Sequence, residues 1–76
     1  MTRAELINEY NQICKEHIGK SLLSDLTDHE LFIFIAANTL DYGRTLEGSI
    51  SNATYHMKNR SKAEKLFSAK INDYLI

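Results

Sequence analysis

Apolar residues recur along this chain at helical spacing, stretch after stretch, with polar residues between them. In the first stretch Leu6, Tyr10, Ile13 and His17 form one row, and Ile7, Cys14 and Ile18 form the row beside it. Two adjacent rows at this period make a broad inward stripe and predict an amphipathic helix from about Arg3 to Ile18. Gly19 stands where a left-handed cap would end that helix. Leu22, Leu23 and Leu26 punctuate the connection that follows and are expected to fold back over the core.

Polar signals mark where helices begin. Thr2-Arg3-Ala4-Glu5, Thr27-Asp28-His29-Glu30 and Ser61-Lys62-Ala63-Glu64 each fit a capping box. There a hydroxyl accepts from the amide three residues on, and the glutamate accepts from the cap's own amide. Met1 with Leu6, and Leu26 with Leu31, also occupy hydrophobic-staple positions.

The second helix is therefore predicted from Thr27 to about Tyr42, with Gly43 as its stop. Its run Leu31-Phe32-Ile33-Phe34-Ile35 also suits a buried strand, because aromatic and β-branched residues favour sheets. The box before it and Ala36-Ala37 after it favour the helix. A helix apolar on every side is a central one. In so short a chain, three neighbours are expected to leave one side of it open to a partner.

Between Arg44 and Asn59, Leu46, Ile50, Ala53 and Met57 make a narrow helical row suited to a two-helix seam. The pattern leaves open whether Gly43 and Gly48 separate this helix from the second. A last helix runs from Ser61 to near Ile76, with Ala63, Leu66, Phe67, Lys70, Ile71, Tyr74 and Leu75 on its inner face. Proline is absent and glycine occurs three times, as uninterrupted helices require. The fold class is all-α, a small bundle of three or four helices in one domain over residues 1–76, completed by homodimerisation if one side stays open.

Composition adds one consideration. A 76-residue chain buries only about 60% of the surface its unfolded form exposes. Cys14 is its one cysteine, so no internal disulfide can help, and a reducing, cytoplasmic setting is expected. Association with a partner or a second copy is the remaining source of stability. The N-terminus turns polar at once, and the longest apolar run, Leu31 to Ala37, is too short to span a membrane.

Net charge is −1, but its distribution is uneven. Residues 1–55 hold four cations against eight acids, whereas residues 56–76 hold five against two. The segment carrying Lys58, Arg60, Lys62 and Lys65 is thus the candidate for phosphate contacts. A helix-turn-helix register on Gly43 or Gly48 fits poorly, since it puts Thr39 or Arg44 where a small residue belongs.

Catalytic and metal chemistry find little support in the spacing. Cys14 and His17 lie three apart and could supply half of a zinc site, but no second half is evident. As a nucleophile Cys14 would sit on the apolar stripe, where a thiol is buried and inert. The carboxylates Asp25, Asp28 and Glu30 suit a helix N-terminus. No glycine-rich phosphate loop occurs. Neither a cofactor nor a metal is expected, and no enzyme activity.

The segment Leu26-Thr27-Asp28-His29-Glu30-Leu31-Phe32-Ile33-Phe34-Ile35-Ala36-Ala37 resembles part of the Hha/YmoA family. Those are small bacterial helical proteins that modulate nucleoid-associated repressors by binding to them. The likeness covers about 12 of 76 residues. The family places an acidic residue soon after the alanines, where this chain has Asn38, and the other segments differ in spacing. No functional residue is carried over.

The expected function is that of a non-enzymatic protein-binding regulator or inhibitor, of a small bacterial or phage type, acting through a helical surface. The expected surface joins Phe32, Phe34, Leu46, Ile50 and Met57, with Tyr42 and Tyr55 beside it. The alternative is a nucleic-acid-associated protein using Lys58, Arg60, Lys62 and Lys65.

Overall fold

The computed structural model describes the backbone of residues 1–17, 22–41 and 43–75, and side chains up to residue 67. Among the described residues the chain forms four α-helices and no strand. They are α1 (Arg3–Glu16), α2 (Asp28–Asp41), α3 (Leu46–Met57) and α4 (Arg60–Leu75), with a 3₁₀ turn at Leu23–Asp25.

Two of the three expected capping boxes form. In the first, the Glu5 amide donates to Thr2 Oγ1 at 3.2 Å and the Thr2 amide donates to Glu5 Oε1 at 2.9 Å. In the second, the Glu30 amide donates to Thr27 Oγ1 at 3.1 Å and the Thr27 amide to Glu30 Oε1 at 2.9 Å. The third is corrected. Helix α4 begins at Arg60, its cap is Asn59, whose Oδ1 accepts from the Lys62 amide at 3.2 Å, and Glu64 pairs with Arg60 instead.

Gly43 separates α2 from α3, so the two are distinct helices. It adopts φ +85°, a conformation that side chains rarely allow, and its amide donates to the Leu40 carbonyl at 3.0 Å. Thr45 then caps α3 by accepting from the Gly48 amide at 3.1 Å. The cap expected at Gly19 and the side chains of Lys70, Ile71, Tyr74 and Leu75 lie outside the described residues.

The core follows the predicted stripes closely in α1. Leu6, Tyr10 and Ile13 are buried, and Ile7 and Cys14 pack beside them. Helix α2 is enclosed on all sides. Every residue from Ile33 to Leu40 is buried, and Ile33, Ile35 and Ala36 are wholly inaccessible. Helices α1 and α3 take most of its surface, and α4 closes over the 3₁₀ turn, α3 and α1. Leu23 and Leu26 fold back as expected, whereas Leu22 stays 67% exposed. Most of the apolar surface of α2 is thus covered within one chain. A radius of gyration of 11.3 Å agrees with the roughly 11 Å of a compact chain of this length.

Buried polar groups on α2 are satisfied by its own backbone. Asn38 Nδ2 donates to the Phe34 carbonyl and Thr39 Oγ1 to the Ile35 carbonyl, each at 2.8 Å. Asn52 of α3 donates in turn to Thr39 Oγ1 at 2.9 Å. Beside it, Ser49 and Ala53 are wholly buried, so the small residues of α3 form the centre of its contact, flanked by the half-buried Leu46, Ile50 and Met57.

Candidate protein-binding cleft

The connection between α3 and α4 is short and tightly hydrogen-bonded. The Lys58 amide donates to the Tyr55 carbonyl at 3.3 Å and the Asn59 amide to the His56 carbonyl at 3.2 Å. The Asn59 carbonyl then accepts from Ala63 at 3.1 Å, so a helix ends and another begins within a few residues. Both ends leave a concavity between them.

That concavity is a cleft of about 370 Å³ lined by Tyr55, His56, Lys58, Asn59, Lys62, Ala63 and Leu66. Ala63 is buried and has no bulk with which to fill the space. The His56 ring stands edge-on to Phe67, with centroids 5.2 Å apart, and edge-on to Tyr55 at 5.4 Å. Tyr55 and Leu66 flank the cleft at 67% and 60% exposure. Lys58 and Lys62 are exposed on the same rim, and among the described residues no acidic one lines it.

The expected apolar surface is partly dismantled. Phe34 is corrected from surface to core. It is 1% exposed and its ring lies 5.9 Å from that of Tyr10, because α1 covers this side of α2. Phe32, Leu46 and Met57 are half-buried and packed against the core, and Ile50 is half-buried. Tyr42 lies outside the described residues. Among the described residues of that set, Tyr55 alone is an exposed large apolar group.

The basic set divides too. Lys58, Lys62 and Lys65 are exposed, but Arg60 turns inward and is corrected from a phosphate contact to a tie within the fold. Its Nη1 donates to Asp28, its Nη2 to the Leu23 and Leu26 carbonyls, and its Nε to Glu64. The two carboxylates raise its already high pKa further.

Leu66, assigned to the inner face of the last helix, lies outside it. Ala63 and Phe67, four apart, point inward, and at about 100° per residue Leu66 falls on the flank. His56 and Ala63 complete the cleft, and neither carried a signal of binding in the sequence. An exposed leucine three residues after a buried alanine becomes visible only once the inward direction of α4 is known.

The chain matches no protein-family model, no curated protein and no solved structure. No described helix is long and apolar enough to cross a membrane.

Proposed function

We propose that this chain is a small, non-enzymatic protein-binding regulator that engages its partner through the cleft between α3 and α4. The carrying observation is the pairing of exposed Tyr55 and Leu66 around one cleft; among the described residues the other exposed large apolar groups are Met1 and Leu22. Tyrosine supplies much contact area at little entropic cost and is enriched at interface hot spots. Lys58 and Lys62 on the rim favour a partner segment that presents acidic side chains beside an apolar one. The cleft suits a short segment of a foreign protein. The single cysteine is consistent with a reducing, cytoplasmic setting.

Capture from host lysate on the immobilised full chain tests this reading, with and without nuclease, alongside Tyr55→Ala and Leu66→Ser variants. A stoichiometric protein that survives nuclease and is lost with either variant supports it. Loss of a hot-spot tyrosine is expected to weaken binding by about tenfold or more. A captured protein indifferent to both substitutions refutes the cleft. Recovery of nucleic acid, with affinity falling steeply with salt and after Lys58→Glu and Lys62→Glu, would transfer the site to the alternative reading.

A further inference from the structure

At the opposite end of the chemistry lies a cluster that the cleft does not involve. Glu16 and His17 end α1, and Glu30 stands in the first turn of α2. One ligand atom from each lies within 4.8 Å of the others. His17 Nε2 and Glu30 Oε2 are 3.1 Å apart, each side chain about one-fifth exposed.

We propose that Glu16, His17 and Glu30 form a binding site for one divalent transition-metal ion of the zinc class, bridging α1 and α2. The convergence of one imidazole and two carboxylates from two helices, with ligand atoms within 4.8 Å of one another, carries the argument. With metal bonds of about 2.0–2.1 Å, neighbouring ligand atoms lie about 2.9 Å apart in an octahedron and about 3.3 Å in a tetrahedron. The pair, now joined by a hydrogen bond at 3.1 Å, stands at a separation compatible with either geometry. Glu16, exposed at the helix end, brings a carboxylate oxygen within 4.8 Å of both.

Both carboxylates are already oriented from outside the cluster. The Thr27 amide holds Glu30 Oε1 at 2.9 Å, which leaves Oε2 directed at His17. Gln12 Nε2 donates to Glu16 Oε1 at 3.1 Å. Such outer hydrogen bonds are what orient ligands at metal sites. Two carboxylates neutralise a divalent charge, and the imidazole selects for zinc-like ions over magnesium or calcium. Three protein ligands leave a position for water or a further ligand. Nothing in the spacing of the sequence announces this site, because Glu30 joins it from a separate helix; Cys14, the expected companion of His17, is not among the three.

The site is tested by titrating the tag-free, metal-free chain with Co²⁺ and reading its d–d absorption, with Zn²⁺ as competitor and melting temperature as a second readout. One Co²⁺ per chain is expected, displaced by Zn²⁺, with a rise in melting temperature on loading. His17→Ala should abolish both signals. Glu30→Gln and Glu16→Gln should weaken binding by roughly tenfold or more, and Gln12→Ala by about tenfold as an outer partner. Glu30→Gln retains a capping-box acceptor, so it tests the metal without removing the cap. His29→Ala, which breaks the separate pair with Glu9, should leave binding intact. Absence of saturable binding, or binding that survives both His17→Ala and Glu30→Gln, overturns the proposal.

Discussion

Arg60 Nη1 donates to Asp28 Oδ1 at 2.5 Å across 32 positions of sequence, tying the first residue of α4 to the first residue of α2. The same guanidinium also donates to the carbonyls of Leu23 and Leu26, so one side chain gathers the start of two helices and the turn before them. Arginine suits this role because its donors are fixed in a planar fork. Replacing Arg60 by Met should cost about 1–3 kcal/mol, since the partly buried carbonyls lose their donors. Urea unfolding measures it, and Arg60→Lys should recover only part of the loss. An unchanged midpoint for Arg60→Met would show that the tie is ornamental.

Gly43 should tolerate no side chain cheaply. Its φ of +85° is the whole reason, since a Cβ added there meets nothing within 4 Å. Gly43→Ala is expected to destabilise by about 1–2 kcal/mol, and calorimetry should show the corresponding drop in melting temperature.

Ser49 should respond in the opposite sense. It is wholly buried, and its hydroxyl has no hydrogen-bond partner. Removing that hydroxyl relieves a desolvation cost and improves helix propensity, so Ser49→Ala should stabilise by about 1 kcal/mol. Destabilisation in urea titration would mean that the hydroxyl has a role in packing α3 on α2.

Acid should loosen the molecule at its caps. The Thr27 amide, with His17 beside it, holds the Glu30 carboxyl below the ordinary glutamate range, and the Thr2 amide does the same for Glu5. A carboxyl depressed in the folded state contributes stability that is fully present above its unfolded pKa, about 4.3. That contribution is lost as pH falls through the lower folded value. Melting temperature in metal-free buffer should therefore fall as pH drops below about 4.5, and Glu30→Gln should make that decline shallower. An equally steep decline in the variant would remove Glu30 from the account.

Cys14 should be a poor nucleophile. Burial pushes its thiol pKa up, opposed in part by a hydrogen bond with Tyr10. Since the thiolate is the reactive form, iodoacetamide should alkylate the native chain more slowly than the urea-unfolded chain at the same pH. Equal rates would show the thiol to be open.

What the sequence determined by itself is local. The capping boxes at Thr2 and Thr27 and the stop at Gly43 were legible because each rests on hydrogen bonds or dihedrals within a few residues. The stripe of Leu6, Tyr10 and Ile13 was legible because a helix fixes which residues share a face. At α4 two local signals competed, and Asn59 took the cap expected of Ser61 while Arg60 engaged Glu64.

Tertiary structure alone decided the rest. The enclosure of α2, the burial of Phe34 and the inward turn of Arg60 depend on where α1, α3 and α4 settle against one another. So do the cleft beside Tyr55 and the meeting of His17 with Glu30. Periodicity names the face of a helix but not the neighbour that will cover it. Contacts between residues far apart in sequence are set by the packing of the whole chain.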